Sequence, residues 1–193
     1  MICCVTGHRP KGFPFPYDTD NLYYNTYLDI LGDTVEELMY EGYTHFIYGT
    51  ADGVDLDFAS IIVSLSNKFE GIILESALPY PLRTPIKYTE SDEARNALVN
   101  KSQIITVVSS RYFRGCMQKR NRYMVDKSDL VLAVWNGEES GGTWDTINYA
   151  RKKGKPIRYI MLKELALEDR EKSLARVLLS EEIRAKIEEK EKF

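Results

Sequence analysis

The sequence predicts a doubly wound α/β fold, in which a mostly parallel sheet of about six strands carries helices on both faces. Short apolar runs rich in β-branched residues alternate along the chain with longer stretches of helical periodicity. Several of these runs are continuously apolar, which is typical of strands buried on both faces of a parallel sheet. Alternating strands and helices favour right-handed crossovers between parallel neighbours.

The predicted elements follow one another in regular order. Strands are expected at 2–6, 45–49, 71–76, 103–108, 129–135 and 156–161, and helices at 20–41, 53–68, 90–101, 116–127 and 142–153. Ser91 is the expected cap of the third helix. Residues 9–19 contain three of the seven prolines and are predicted to form a shaped loop rather than a helix. We expect one domain over 1–162 and a charged C-terminal helix over 163–193.

Composition excludes several classes of function. The formal net charge of −3 gives no global signature of nucleic-acid binding. Cys3 and Cys4 are expected on opposite faces of one strand, and Cys116 and the two histidines are scattered, so neither a metal site nor a bound cofactor is expected. No apolar run approaches the roughly 20 residues that span a bilayer, and no signal-peptide pattern is present. A cytoplasmic protein is therefore expected.

Three glycine-containing loops follow predicted strands, at the edge of the sheet where such folds bind ligands. They hold Thr6, Gly7, His8 and Arg9; then Gly49, Asp52, Gly53 and Asp55; then Ser140, Gly141, Gly142 and Thr143. Glycine admits a ligand close to the backbone, arginine matches phosphate, and helix N-termini attract anions. The third loop lacks the lysine of the P-loop pattern, so ATP hydrolysis of that class is not indicated.

The polar residues of these loops allow more than one role. Asp52 and Asp55 suit ribose hydroxyls, helix capping or a salt bridge to arginine. His8 is either a hydrogen-bonding loop residue or a proton carrier. Together with Asp145, these residues are the candidates for acid–base chemistry.

The segment 111–122 is strongly basic, with five cations and no acid. Arg120 and Asn121 are expected to reach the pocket formed by the three loops. Alternatively, the aromatic residues interleaved with arginine suit the stacking of single-stranded nucleic acid.

The four motifs together resemble the YpsA-like family of the SLOG superfamily, whose relatives include the LOG-type nucleotide hydrolases and the DNA-processing protein DprA. The motifs are TGHRP at 6–10, GTADGVDLDFA at 49–59, RNRYMVDKSDLVLAVW at 120–135 and SGGTWDTINYA at 140–150. The resemblance covers roughly 1–160. It implies a Rossmann-like fold and a pocket for nucleotides or ADP-ribose-like ligands, lined by residues of the three loops with Arg120 and Asn121.

The resemblance also separates the candidate functions. LOG-type hydrolases carry a glutamate soon after their glycine-rich segment, whereas this chain continues Asp145-Thr146-Ile147-Asn148-Tyr149. The leading hypothesis is therefore a sensor, carrier or sequestering protein for a nucleotide or nucleotide second messenger, encoded by a host or a phage. An N-glycosidase and a single-stranded nucleic-acid binder are the alternatives. A homo-oligomer is expected by analogy with related folds.

Overall fold

The computed structural model describes residues 1–81 and 89–165, so most of the predicted C-terminal helix lies outside the described residues. The strands are Ile2–Gly7 (β1), His45–Tyr48 (β2), Ile73–Leu78 (β3), Ile104–Val107 (β4), Leu130–Trp135 (β5) and Ile157–Met161 (β6). The α-helices are Leu22–Tyr40 (α1), Val54–Leu65 (α2), Glu90–Lys101 (α3), Cys116–Lys127 (α4) and Gly141–Lys152 (α5). None of the helices in these ranges is long and apolar enough to cross a membrane.

The six strands form one sheet in the order β4-β3-β2-β1-β5-β6, and all pairs are parallel. The predicted Rossmann-like α/β fold is thus confirmed. From β1 the chain builds outward through β2, β3 and β4, and then crosses to the other side of β1 to form β5. Strand order therefore reverses between β1 and β5, and the crevice above that point is where open parallel sheets bind ligands.

The two faces of the sheet carry different helices. Helices α1 and α2 pack on the face that includes Cys3, Val5 and Phe46. Helices α4 and α5 cover the opposite face, which includes Cys4. The two neighbouring cysteines point to opposite sides, as predicted, and both are fully buried. Burial of both faces explains why the strands read as continuous apolar runs.

Two local predictions were wrong. Ser91 is not the cap of α3: Thr89 accepts a hydrogen bond from the backbone N–H of Asp92, and the Asp92 carboxylate accepts one from the backbone N–H of Thr89. These reciprocal bonds form a capping box, which outcompetes a serine placed inside the first turn. The loop at 9–19 also contains a short 3-10 helix at Pro10–Gly12, because proline is compatible with the first position of a helical turn.

A carboxylate on α2 anchors the proline-rich loop. Asp57 accepts hydrogen bonds from the hydroxyls of Tyr17, Tyr24 and Tyr27 at 2.6, 3.1 and 3.0 Å. Tyr17 lies in the loop, and the other two tyrosines lie on α1. Burial raises the pKa of Asp57, and the three hydroxyl donors only partly oppose that effect. Asp57 therefore joins the loop, α1 and α2 through one acceptor.

Replacing Asp57 with alanine is expected to lower the free energy of unfolding by about 2 kcal/mol, because three phenol hydroxyls lose their acceptor. Replacing it with asparagine retains an acceptor and should cost less. Since the folded-state pKa of Asp57 is raised, its contribution is fully present below its unfolded pKa and declines as pH rises through the folded pKa. When urea denaturation is measured over a pH range that begins at about 4 and rises, the stability advantage of wild type over Asp57→Asn should therefore shrink. An unchanged difference across that range would contradict this assignment.

Candidate functional site

The three predicted loops meet at the carboxyl edge of the sheet and are bonded to one another. The Val54 N–H donates to the His8 carbonyl at 3.2 Å, which joins the second loop to the first. The Thr143 hydroxyl donates to the Gly7 carbonyl at 2.9 Å, which joins the third loop to the first. After β5, the Asn136 N–H donates to Nε2 of His8 at 3.2 Å. The loop that follows β1 is therefore hydrogen-bonded both to the loop after β2 and to the segments after β5, its two neighbours in the sheet.

The loop between β2 and α2 is under backbone strain. Thr50 has a φ of 62°, and no other non-glycine residue in the described ranges has a positive φ. A β-branched residue rarely adopts this conformation, and such strain is concentrated at functional sites. Arg95 holds the loop by donating from Nε to the Thr50 carbonyl at 2.8 Å. Asp55 holds it by accepting from the Ala51 N–H at 3.0 Å.

Glycine is required at one end of this loop. Gly53 has a φ of +87°, and a Cβ atom there would lie 2.5 Å from the His8 carbonyl oxygen. Both the conformation and the close contact exclude a larger residue without movement of the backbone. Gly53 thus allows the first two loops to touch.

Two chambers lie above the loops and together form the candidate site. The inner chamber, of about 270 Å³, sits where strand order reverses and is lined by Thr6, Gly7, His8, Asn121, Gly142 and Thr143 among others. The outer chamber, of about 330 Å³, extends toward α3 and includes Gly49, Thr50, Asp52, Pro79, Tyr80 and Arg95. Arg9, Ala51, Met117 and Arg120 line both chambers. Two guanidinium groups therefore stand at the junction.

Arg120 is the electrostatic centre of the site. Its side chain is only 7% exposed, and Nη1 lies 3.6 Å from Oδ2 of Asp55. Nε and Nη1 are buried without a hydrogen-bond partner among the described residues. Burial lowers the pKa of Arg120, although the Asp55 carboxylate opposes this effect. Buried donors without partners are uncommon and costly, and an anion in the chambers would compensate the charge beside them.

The ends of three helices add positive potential at the same edge. Helices α2, α4 and α5 begin after Gly53, Gly115 and Ser140, and none of these residues makes a side-chain capping hydrogen bond. By contrast, α3 begins with the capping box at Thr89. The first amides of a helix carry partial positive charge, and uncapped N-termini favour anions nearby.

The structure brings most of the predicted binding residues together. The residues that line one or both chambers are Thr6, Gly7, His8, Arg9, Gly49, Asp52, Arg120, Asn121, Gly142 and Thr143. Gly53 lines neither chamber but packs against the first loop at the His8 carbonyl. Ser140 and Gly141 are exposed beside the chambers and do not line them. Asn121 also donates to the Thr146 hydroxyl at 2.8 Å, so it links α4 to α5.

Two of the candidate catalytic carboxylates are paired with arginines, and the third lies outside the two chambers. Asp52 accepts from Arg95 and Ser91, and Asp55 pairs with Arg120. Burial raises the pKa of Asp55, opposed by the Arg120 charge and by backbone N–H groups. Asp145 lines a separate groove between α4 and α5.

His8 is placed as a hydrogen-bonding loop residue. Its Nε2 accepts from the Asn136 backbone N–H, which requires the neutral ring to carry its proton on Nδ1. Burial lowers the pKa of His8, although the nearby Glu138 charge opposes this effect. The neutral form that this hydrogen bond needs is thus also the form that burial favours.

The contribution of α3 to the site was not predicted from the sequence. Arg95 contacts the Thr50 carbonyl and forms ion pairs with Asp52 and Asp92. Hydrogen bonds from Thr89 and Arg95 lower the pKa of Asp92 to about 2. The residue pattern of α3 indicated only an amphipathic helix, and nothing local in it pointed to the loop 49–53. A long-range packing contact was the missing information.

Trp144, which follows the glycine pair of the third loop, is stacked on another side chain. Its ring lies 5.2 Å from that of Trp135 at an interplanar angle of 11°. Arg151 covers it at 5.2 Å from the ring centroid. The pair stands at the end of β5, away from both chambers, and Trp144 therefore packs against protein rather than lining the candidate site.

Comparison with known proteins agrees with this architecture. The YspA SLOG family matches residues 3–165, a range that contains all of the described helices and strands except the first residue of β1. The chain belongs to this family. A short segment of 36 residues is also 53% identical to the uncharacterized SPbeta prophage-derived protein YoqJ of Bacillus subtilis strain 168. That segment covers 19% of this chain and 20% of YoqJ. Membership of the SLOG family indicates a nucleotide-related role.

Proposed function

We propose that this protein binds a nucleotide or nucleotide-derived ligand and holds its phosphate between Arg9 and Arg120. The observation that carries the proposal is the buried guanidinium of Arg120, with two donors that lack partners among the described residues, at the junction of two chambers. Arg9 is exposed and makes no ion pair within the described ranges, so its charge is available to a ligand. Arginine matches phosphate oxygens in geometry and charge.

The surrounding groups suit the rest of a nucleotide. Thr6, Asn121 and Thr143 offer hydroxyl and amide groups in the inner chamber. Pro79, Tyr80 and Met117 offer apolar and aromatic surface in the outer one. Small-molecule sites commonly combine such apolar walls with a few convergent polar groups.

Binding without cleavage is the better supported form of this proposal. Glycoside hydrolysis needs a carboxylate beside the departing anomeric centre. The carboxylates of Asp52 and Asp92, which line the outer chamber, are bound to Arg95, and Asp55 is bound to Arg120. A sensor, a carrier and a phage-encoded protein that sequesters a signalling nucleotide are all forms of this function. The prophage origin of YoqJ is compatible with the last of them.

Replacing Arg9 with alanine is expected to weaken binding of AMP and ADP by about 10-fold, because one charge-assisted contact to phosphate is lost. Isothermal titration calorimetry measures the change. Lys127→Ala removes an exposed cation from the far end of α4 and is the matched control, expected to bind as wild type. Equal affinities for Arg9→Ala and wild type would contradict the assignment of the phosphate.

The same samples test for turnover. Chromatography of AMP and ADP-ribose after incubation with the protein should show no release of free base. Released base that disappears in an Asp52→Asn variant would replace the binding proposal with the N-glycosidase.

A further inference from the structure

A second groove runs along the outer side of α4 and adjoins the nucleotide site at Asn121, which lines both. Its inner part, of about 340 Å³, lies between α4 and α5 and is lined by Asn148, Tyr149 and Lys152 among others. Its outer part surrounds the beginning of α4 and includes Phe113, Arg114 and Lys119. Gln118 and Arg122 line both parts, so the two form one surface, here called the basic groove.

The basic groove concentrates positive charge. Arg114, Lys119, Arg122 and Lys152 line it, against the single acid Asp145, although the chain as a whole carries a net charge of −3. Within the described ranges, none of these four cations forms an ion pair. Elsewhere on the surface, the cations Arg95, Lys153 and Arg158 do pair with carboxylates. Unpaired cations gathered on one surface are the electrostatic footprint of a polyanionic partner.

Aromatic rings stand beside these cations. Phe113 lines the outer part of the groove and is 41% exposed, which is high for so large an apolar ring. Tyr149 lies within the inner part of the groove, but Arg122 and Lys153 cover it at 5.5 and 5.4 Å from the ring centroid, so Phe113 is the ring that is open to a base. Exposed rings and guanidinium planes stack on unpaired bases, whereas the bases of a duplex are not accessible to them.

We infer that the basic groove binds single-stranded nucleic acid, with phosphates along Arg114, Lys119 and Arg122 and a base against Phe113. The four cations of the groove line neither chamber of the nucleotide site. Arg120 and Arg122 are two positions apart on α4 and therefore point about 200° apart around its axis. Arg120 is buried toward the chambers, whereas Arg122 is exposed in the groove.

The test is fluorescence anisotropy with a labelled oligothymidine of about 20 nucleotides at low salt. Wild type is expected to bind, with an affinity that falls steeply as salt rises because counterions are released. Arg114→Glu with Arg122→Glu should weaken binding at least about 10-fold, while Lys127→Glu, a charge reversal at the far end of α4, should change it little. Arg114→Ala, an exposed loop position, supplies a milder variant, and thermal melting verifies the fold of each.

Two further measurements separate this partner from other polyanions and from the nucleotide site. Phe113→Ala should weaken oligothymidine binding but leave binding of inorganic polyphosphate unchanged. Arg9→Ala should leave oligothymidine binding intact. No anisotropy change at low salt, equal binding by the charge-reversed variant, no effect of Phe113→Ala, or weaker binding by Arg9→Ala would each overturn the inference. None of these outcomes depends on whether the nucleotide proposal holds.

Discussion

Replacing Asp55 with alanine is expected to lower the free energy of unfolding by about 3–5 kcal/mol. Asp55 is 8% exposed and is the partner of the buried Arg120. Its loss would leave a buried guanidinium without a counter-charge, and would remove the acceptor that holds the Ala51 N–H in the strained loop. The ion pair itself adds little net stability, because removing both charges from water is costly. Removing only one partner is strongly destabilising, because the remaining charge stays buried without compensation.

Urea denaturation measures this effect. Asp145→Ala is the matched control, since Asp145 is an exposed aspartate that forms no ion pair in the described part of the chain, and its expected change is within about 0.5 kcal/mol. A double variant, Asp55→Ala with Arg120→Met, removes both charges and should recover part of the loss. If Asp55→Ala cost no more than Asp145→Ala, the two charges would not be coupled and Arg120 would not be held by Asp55.

Replacing Gly142 with aspartate is expected to weaken AMP binding by at least about 100-fold without destabilising the protein. Gly142 lines the inner chamber, and a Cβ atom added there meets no atom within 4 Å. The new carboxylate would occupy the positive end of α5 and repel phosphate. It would also interact favourably with the helix dipole, so the melting temperature should stay the same or rise.

Gly142→Asn is the control for this variant, because it adds nearly the same volume without charge and should weaken binding much less. Calorimetric titration and thermal melting together give affinity and stability. Undiminished AMP binding by Gly142→Asp would place the phosphate away from α5. A large loss in both variants would indicate steric exclusion rather than charge.

The order of elements was predictable from the sequence because most of the strands carry a continuous apolar run. Strand β3 was expected at 71–76 and is found at Ile73–Leu78. Glu75 and Ser76 resemble the polar end of a strand, yet both are buried inside it. Glu75 accepts hydrogen bonds from His45, Thr106 and Tyr123, and the Ser76 hydroxyl donates to Tyr48. Such partners come from distant segments, so local sequence could not reveal them.

The site residues on loops that directly follow strands were predicted from the sequence. The residue that reaches the site through the packing of a helix was not. Arg9, Gly49 and Thr143 follow from topology, because the carboxyl ends of parallel strands share one edge. Asp145 is only two residues from Thr143, but this spacing turns its side chain about 200° around α5 and away from the chambers. Arg95 reaches the site only because α3 packs beside α2.

The homo-oligomer that was expected by analogy with related folds stays a prediction.

We propose that the protein recognises its ligand through the phosphate of a nucleotide. The most direct measurement is calorimetric titration of the wild-type protein with AMP, ADP and ADP-ribose, with adenosine as the compound that lacks phosphate. We expect binding of at least one phosphate-bearing compound, weak or absent binding of adenosine, and a loss of affinity in Arg9→Ala. Binding of adenosine as tight as that of AMP, or no binding by any of the four compounds, would contradict it.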